Sequence, residues 1–307
     1  MDAANYQADL IGTAVSRYEI VDLTGSGGMG HVYRARDRRL QRDVAIKVCN
    51  RRRGSQADGE SQLEAEARAL SRLSHSRIPA IYDFLSESER DFIVMEFVGG
   101  VTLKELLVNG PLPFPEVLRL GKQMMQGIAA THHAQLVHRD IKQANLKVTP
   151  TGELKILDFG IAQLLPSASD KEDARELPTR RHIEFGLVGT MPYMSPEQFC
   201  GGLADERSDI FSAGAVLYEM ATGVQAFPQI GMAPLVDAIL YQQPVDPSLV
   251  NREVPVAFDD LVGRAMEKRP SHRYQRASEL EAALDALCVR GRASRPAFSR
   301  WLSGFLG

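Results

Sequence analysis

The kind of segment that the chain favours changes at Gly99-Gly100, and this change constrains the fold most strongly. Ahead of these glycines, short β-branched runs are typical of strands, and one segment has apolar residues at the spacing of a helix. The predicted strands are residues 18–23, 31–35, 43–48, 78–85 and 92–98, and the predicted helix is 63–73. The segments that favour helix after the glycines are 103–108, 114–134, 210–221, 235–241, 258–267 and 277–287. The sequence therefore predicts an α+β fold with a small β-rich lobe and a larger α-rich lobe.

The lobes are predicted to lie between two terminal segments. We expect residues 1–16 to be a leader, 17–98 the small lobe, 99–289 the large lobe and 290–307 a tail. The tail has arginines but no acidic residue, and Trp301, Leu302, Phe305 and Leu306 fall on one helical stripe. We therefore expect a basic, amphipathic tail that docks on the large lobe or is disordered, rather than one that lies on a membrane.

The composition argues against several classes of protein. The chain has 36 Lys and Arg against 39 Asp and Glu, a net charge of −3, whereas a nucleic-acid-binding surface needs a cationic surplus. Cys49, Cys200 and Cys288 lie far apart, which argues against a disulfide framework and structural zinc. The sequence has no signal-peptide pattern and no apolar run near the roughly 18 residues of a membrane helix. We therefore expect a cytoplasmic protein without a transmembrane segment or a nucleic-acid partner.

A glycine cluster lies between two predicted strands, with Gly25, Gly27 and Gly30 separated by short gaps. Because glycine has no Cβ, the backbone N–H groups of such a loop can approach a phosphate group closely. On this element alone, a glycine-rich hairpin that binds nothing is an equally good interpretation. A dinucleotide-binding fingerprint fits less well, because a strand and not a helix follows the glycines.

Lys47 lies on the predicted strand 43–48 and is a candidate cation for the phosphates beside the glycine loop. A lysine in this role needs an anionic partner, and Glu66 on the following helix is the best candidate. Glu64 is two residues away and would point to a different face of that helix. Without context, a surface lysine and a solvated glutamate remain the ordinary interpretation.

The segment 138–145, with Asp158 beyond it, carries the strongest chemical signal. Asp140 can orient a substrate hydroxyl and accept its proton, and Lys142 can offset charge on a phosphoryl group during transfer. Asn145 and Asp158 offer the hard oxygen ligands that Mg²⁺ prefers. Either piece alone could be a chance polar turn, but both together, after a glycine loop and a strand lysine, predict phosphoryl transfer.

These motifs resemble those of protein kinases. The chain contains a glycine-rich loop (residues 25–32), Val-Ala-Ile-Lys (44–47) and a loop that begins His-Arg-Asp (138–145). Further along are Asp-Phe-Gly (158–160) and Ser-Pro-Glu (195–197). Two of these motifs, with the sequences Gly-Ser-Gly-Gly-Met-Gly and Met-Ser-Pro-Glu-Gln, are most similar to those of the bacterial Hanks-type serine/threonine kinases. The similarity extends from about Arg17 to about Leu287 and implies one domain, residues 17–289, with the bilobal protein-kinase fold.

The resemblance implies ATP as the phosphate donor and Mg²⁺ as the metal, with Mn²⁺ as the alternative. Asp140, Lys142 and Asn145 would be the catalytic residues, and Asn145 and Asp158 would hold the metal. The residues that match the family's nucleotide site are Gly25, Ser26, Gly27, Gly28, Met29, Gly30, Val32, Ala45, Lys47, Glu66, Met95, Glu96, Val98, Leu146 and Asp158.

Further contacts in the large lobe are implied by the same resemblance. Thr190 would hydrogen-bond near Asp140 and Lys142, and Glu197 would pair with Arg273. Gln143 stands where the family usually has proline, a departure that removes no charge or ligand needed for transfer.

A long polar stretch between Asp158 and Glu197 is predicted to be an activation loop. Arg139 precedes Asp140, and in this family such an arginine often pairs with a phosphate on that loop. We predict autophosphorylation within 167–190, with Ser167, Ser169 and Thr179 as candidate acceptors, and a transient homodimer for phosphorylation in trans. An unregulated insertion is the alternative.

Three functions fit these observations. The first is a non-specific protein serine/threonine kinase that transfers the γ-phosphate of ATP to protein hydroxyls. The second is a catalytically silent, ATP-binding pseudokinase that acts as a scaffold, which the presence of Lys47, Asp140, Asn145 and Asp158 disfavours. The third is a small-molecule phosphotransferase, which would not be expected to keep the Ser-Pro-Glu segment or a long activation loop. We expect the first.

Overall fold

The computed structural model describes residues 10–27, 30–50, 62–87, 90–158 and 190–290. The chain divides into two compact units. The first comprises residues 1–75 and 79–98, and the second comprises residues 76–78 and 99–307.

The first unit is built on a six-stranded antiparallel sheet. Its elements are β1 (Ala14–Val15), β2 (Tyr18–Gly27), β3 (Gly30–Asp37), β4 (Arg42–Asn50), α1 (Gln62–Ser71), β5 (Ile81–Glu87) and β6 (Arg90–Glu96). The strand order is β1-β2-β3-β4-β6-β5, so β6 pairs with β4 on one side and with β5 on the other. The predicted β-rich unit with one helix is confirmed.

Alternation along the strands gives this sheet one apolar face. The side chains that pack together on it come from five strands: Val15, Tyr18, Ile20, Tyr33, Ala35, Val44, Ile46, Val48, Phe92 and Val94. Successive strand residues point to opposite faces, so the intervening residues of β3, β4 and β6 share the other face. Burial of each large apolar side chain on this core face contributes about 1.5–3 kcal/mol.

Gly30 begins β3 directly after the glycine loop, and its backbone requires glycine. Its φ is +128°, and a Cβ at this position would lie 2.2 Å from the carbonyl oxygen of Val48 on β4. A side chain is therefore excluded both by backbone conformation and by the neighbouring strand.

The second unit contains a small sheet and most of the helices. Its strands are β7 (Val101–Thr102), β8 (Leu146–Val148) and β9 (Leu154–Ile156). Its helices are α2 (Leu103–Leu106), α3 (Phe114–His133), α4 (Pro196–Phe199), α5 (Glu206–Thr222), α6 (Met232–Tyr241), α7 (Pro247–Val250), α8 (Val256–Ala265) and α9 (Ala277–Arg290). Single 3₁₀ turns occur at Leu107–Asn109, Gln143–Asn145, Met191–Tyr193 and Pro270–His272. The predicted α-rich character of this part of the chain is confirmed.

Helix α5 lies at the centre of this unit and is buried along most of its length. Its start is determined by Asp205, whose carboxylate accepts a hydrogen bond of 2.8 Å from the amide of Arg207. It ends at Gly223, which adopts φ +77° and donates its N–H to the carbonyl of Glu219. The residues of this helix can therefore serve as a fixed support for the loops packed against it.

The structure corrects several predicted boundaries. The strand predicted from residue 78 begins at Ile81, because Pro79 cannot donate to a ladder and residues 76–78 belong to the second unit. The strand predicted to reach residue 98 ends at Glu96, and the helix predicted to residue 73 ends at Ser71. The predicted helix 103–108 is one α-helical turn followed by a 3₁₀ turn.

No helix among the described residues is both long and apolar enough to cross a membrane.

Candidate active site

A short hairpin brings Asn145 and Asp158 to the same end of two strands. In the antiparallel pairing of β8 with β9, Leu146 lies opposite Ile156. The ladder continues for one more bond, because the amide of Leu157 donates to the carbonyl oxygen of Asn145 at 2.7 Å. Asp158 follows Leu157 directly, so the two candidate metal ligands are neighbours at this end of the hairpin.

The two carboxylate oxygens of Asp140 have different surroundings. Oδ2 accepts hydrogen bonds from Lys142 Nζ and from Asn145 Nδ2, both at 2.9 Å. Asn145 Nδ2 also donates to the backbone carbonyl of Asp140 at 2.9 Å. Oδ1 is buried and has no hydrogen-bond partner in the described part of the chain. The carboxylate is thus held through one oxygen, and the described residues leave the other available to a further donor.

Lys142 links Asp140 to Thr190. Its Nζ donates to Thr190 Oγ1 at 2.6 Å in addition to its bond with Asp140. The predicted contact of Thr190 is therefore confirmed. The ammonium is thus held on two sides and lies beside the carboxylate of Asp140.

Asp209 on α5 anchors the loop that carries Asp140. Its carboxylate is fully buried and accepts from the amides of His138 and Arg139, each at 2.8 Å. It also bonds the Nε2 atom of His132 on α3 at 2.8 Å. Two successive backbone donors of the loop are therefore fixed by a side chain of the central helix.

His138 joins the same loop to the hairpin. Burial lowers the pKa of His138, and its two ring nitrogens have different partners. Nε2 lies 3.0 Å from the carbonyl oxygen of Leu157, which can only accept, so Nε2 carries the proton. Nδ1 accepts from the amide of Asp140 at 3.3 Å. The neutral ring thus connects the backbone at Asp140 to the residue before Asp158.

Two residues of the site adopt the left-handed backbone region. Arg139 has φ +65° and Asp158 has φ +48°. Such conformations cost about 1–3 kcal/mol each for residues other than glycine, and they persist where the surroundings impose them. Arg139 is held by Asp209 as described, and its Nε is buried without a hydrogen-bond partner among the described residues.

In the first unit, strand register brings the predicted nucleotide-binding side chains together. Val32 on β3 lies opposite Lys47 on β4, and Ala45 lies opposite Met95 on β6. All four point away from the apolar face defined above. Lys47 is buried, with 3 % of its surface exposed. This face therefore presents the buried cation of Lys47 beside the apolar side chains of Val32, Ala45 and Met95.

Four further predicted residues lie near the ends of strands. Glu96 ends β6, where its amide donates to the carbonyl of Ala80 at 2.8 Å and its carboxylate accepts from the amide of Ala80 at 3.3 Å. Val98 is buried in the first unit, and Leu146 is buried at the start of β8 in the second. Gly25, on β2, lies opposite Val32.

Several predicted features lie outside the described residues. These are Gly28, Met29, the loop 159–189, the tail from residue 291 and the side chains of Ser26 and Glu66, while Gly27 is described only as the last residue of β2. Glu66 lies on α1, and its pairing with Lys47 stays a prediction.

The donor set at the hairpin fits a hard divalent cation. Asn145 and Asp158 supply an amide and a carboxylate, and the unpartnered oxygen of Asp140 lies on the adjoining loop. Among the described residues, no three His, Cys, Asp or Glu side chains form a group that could hold a metal ion. Mg²⁺ is commonly bound through one or two carboxylates together with phosphate oxygens and water, and these residues fit that pattern.

The predicted pairing of Glu197 with Arg273 is confirmed. Arg273 is fully buried, and its two terminal nitrogens bond the two carboxylate oxygens at 2.7 and 2.8 Å. Burial by itself would raise the pKa of Glu197, but the hydrogen bonds and charge of Arg273 outweigh it and hold that pKa below its ordinary value. This bidentate pair fixes α4 in the second unit.

Sequence reasoning missed two residues that hold the loop. His132 lies 77 positions before its partner Asp209, and Gln198 bonds the loop from 59 positions away. Neither stands at a spacing that would signal a contact in the sequence.

Comparisons with known proteins agree with this geometry. A family model described as "Protein kinase domain" matches residues 18–286. The chain is 37% identical to serine/threonine-protein kinase PrkC of Bacillus subtilis over 94% of its own length and 43% of that protein. It is 35% identical to PknB of Mycobacterium leprae (87% of this chain, 42% of PknB) and 36% identical to PknL of Mycobacterium tuberculosis (89% and 66%).

The fold also resembles a solved structure. The crystal structure of the PknI kinase domain of Mycobacterium tuberculosis, determined for a point mutant of that protein, matches with a TM-score of 0.67. The two sequences are 21% identical, and the match covers 91% of this chain and 98% of that one. The predicted fold is thus confirmed. The chain spans less than half the length of PrkC and of PknB.

Proposed function

We propose that this chain, which belongs to the protein kinase domain family, transfers the γ-phosphate of ATP to serine and threonine hydroxyls of protein substrates. The observation that carries the proposal is the carboxylate of Asp140. One of its oxygens is held by Lys142 and Asn145, and the other is buried without a partner among the described residues.

Asp140 would act on the acceptor hydroxyl. Its Oδ1 can accept the hydroxyl hydrogen, orient the oxygen for attack and take the proton as the bond from that oxygen to the γ-phosphorus forms, while the bond from the γ-phosphorus to the bridging oxygen breaks and ADP leaves. The two donors on Oδ2 keep the carboxylate in one orientation, which is how a fixed group lowers the cost of reaching the transition state. Lys142 would offset the charge that develops on the transferred group.

The first unit would bind the nucleotide. Small and apolar side chains at Val32, Ala45 and Met95 suit an adenine ring, and Lys47 on the same face can neutralise phosphate charge. Gly25 and Gly30 have no Cβ, which would let the backbone of the loop approach the phosphates. Glu96 and Val98 follow on the strand end and would contact the base.

Protein kinases use ATP with a divalent metal ion, and we propose Mg²⁺ rather than Mn²⁺ for this chain. Asn145 and Asp158 would hold the ion, which when bound neutralises charge on the phosphates. Because Mn²⁺ accepts the same oxygen ligands, the choice of Mg²⁺ rests on metal availability in the cell and not on the donor set, which disfavours only softer ions.

Autophosphorylation within residues 167–190 is part of the proposal. Arg139 is next to Asp140, and its buried Nε has no partner among the described residues, so a phosphate could complete its hydrogen bonds. Phosphorylation in trans would need a transient homodimer. A location in the cytoplasm stays a prediction from the sequence.

The test is phosphate transfer by the purified chain. It is incubated with Mg²⁺ and γ-labelled ATP, with and without casein, and compared with Asp140→Asn and with Asp260→Asn, a matched change at an exposed position of α8. We expect phosphoserine and phosphothreonine with the wild type and with Asp260→Asn, and none with Asp140→Asn. Nucleotide binding without transfer in the wild type would contradict the proposal and favour the pseudokinase.

A further inference from the structure

The side chain of Gln198 bridges two parts of the second unit. Its Oε1 accepts from the amide and the hydroxyl of Ser195, at 2.9 and 3.0 Å, where α4 begins. Its Nε2 donates to the backbone carbonyl of Arg139 at 3.2 Å. Only this orientation of the amide satisfies all three contacts, because the oxygen faces two donors and the nitrogen faces an acceptor.

The carbonyl that Gln198 contacts belongs to the left-handed residue of the loop. Arg139 has φ +65°, and its amide is already held by Asp209 at 2.8 Å. Gln198 therefore holds the opposite end of the same residue, and Asp140 follows directly. A conformation that costs free energy persists only where contacts on both sides impose it.

A glutamate in place of Gln198 would satisfy the start of the helix equally well. The pattern Ser-x-x-Glu is a common capping arrangement, in which the carboxylate accepts from the first residue of the cap. Stabilising α4 therefore does not require an amide. Of the two residues that suit this cap position, glutamate and glutamine, only glutamine also supplies the donor to Arg139.

We propose that Gln198 is a positioning residue for phosphoryl transfer, which holds the backbone at Arg139 so that the Asp140 carboxylate keeps its orientation. This inference rests on the proposed function. It assigns Gln198 no contact with substrate or nucleotide. It predicts that the effect of a substitution depends on the amide donor and not on the stability of α4.

The experiment compares three variants of the full chain with the wild type. Gln198→Glu keeps the cap and removes the donor, and Gln198→Ala removes both. Gln243→Glu makes the same change of charge at an exposed position. Thermal unfolding, kcat and the KM for ATP are measured for each, at a temperature where all are folded.

We expect kcat of Gln198→Glu to fall about tenfold, with a KM for ATP and an unfolding temperature close to those of the wild type. Gln198→Ala should lose the same factor in kcat and also unfold at a lower temperature. Gln243→Glu should behave as the wild type. A kcat for Gln198→Glu within twofold of the wild type would overturn the proposal. Capping of α4 would then be the role that remains for Gln198.

A second readout does not depend on activity. Hydrogen exchange of the peptide that covers residues 136–146 should become faster in Gln198→Glu, and stay unchanged in Gln243→Glu, if the loop loses a contact that holds it. Faster exchange in a chain that transfers no phosphate would support the positioning role and reject the proposed function. Unchanged exchange in Gln198→Glu would overturn the positioning role whether or not the wild type is active.

Discussion

The two units position their candidate site residues in different ways. In the first, Val32, Lys47 and Met95 reach one face because neighbouring strands keep a continuous register. In the second, Asp140 lies on a loop that is held by bonds between residues 48 to 71 positions apart. The sheet face would tolerate local changes, whereas the loop depends on a few individual side chains. The predictions below are ordered from the largest expected effect to the smallest.

Among the residues that support the two units, Asp209→Ala should have the largest effect. It leaves the amides of His138 and Arg139 and the ring of His132 without their acceptor, so the loop loses its anchor. We expect phosphate transfer to fall at least about 100-fold and the free energy of unfolding to fall by about 3 kcal/mol. Steady-state kinetics measures the transfer and chemical denaturation measures the free energy of unfolding, with Asp260→Ala as the control. A loss of less than threefold in transfer would mean that the loop holds its own conformation.

Glu197→Gln should mainly reduce stability. It leaves the fully buried Arg273 without its charge partner, which costs about 3 kcal/mol. The sign of its pH dependence follows from the lowered pKa of Glu197. The pair stabilises the folded chain fully above the ordinary pKa of 4.5, and this contribution is lost as the pH falls through the lower, folded value. Denaturation at pH 7 and pH 4 should therefore show a smaller difference between wild type and variant at pH 4. A constant difference would contradict this assignment.

Gly30→Ala tests the first unit. The new Cβ would meet the carbonyl oxygen of Val48 in a backbone conformation that alanine avoids, so we expect a loss of about 2 kcal/mol and a raised KM for ATP. Gly25→Ala is the matched control, because its nearest neighbour would be Val32 Cβ at 4.0 Å. Equal unfolding midpoints for the two variants would show that Gly30 is not constrained by β4.

Lys268→Met should have the smallest effect, which is a change in how stability depends on pH. Burial, with the nearby charge of Arg273, lowers its pKa to about 8 from 10.5, although its Nζ donates to the carbonyl of Ile239 at 2.8 Å. Between these values the unfolded chain holds a proton that the folded chain has released, so stability rises with pH. Because the side chain is only half-buried, we expect about 1 kcal/mol between pH 7 and pH 10, and no such rise for Lys268→Met. If the free energy of unfolding changed with pH equally in the wild type and in Lys268→Met, the lowered pKa of Lys268 would be contradicted.

These differences explain which parts of the molecule were predictable from the sequence. Period-two alternation and the glycine loop indicated the strands of the first unit, because both signals lie within a few consecutive residues. The motifs around Asp140 and Asp158 were recognisable for the same reason. The three-residue strands β8 and β9 are too short for periodicity, so the hairpin beside Asn145 was not predicted.

The contacts that hold the loop could not be predicted from local pattern. Asp209 lies on α5, and its partners His138 and His132 are 71 and 77 positions away. The local pattern predicts only that Gln198 caps α4 through Ser195. Its bond to Arg139 depends on how α4 packs in the second unit. Such bonds depend on the tertiary structure, which a single sequence does not encode in its spacing.

The most direct test of the account is a single-turnover measurement of phosphate transfer by Asp140→Asn, together with its affinity for ATP. The account predicts that the variant binds ATP as the wild type does, because the proposed nucleotide-binding face lies in the first unit. It predicts that transfer falls about 100- to 10,000-fold, because the oxygen that accepts the proton is lost. Transfer by Asp140→Asn at more than a tenth of the wild-type rate would contradict the central role given to this carboxylate.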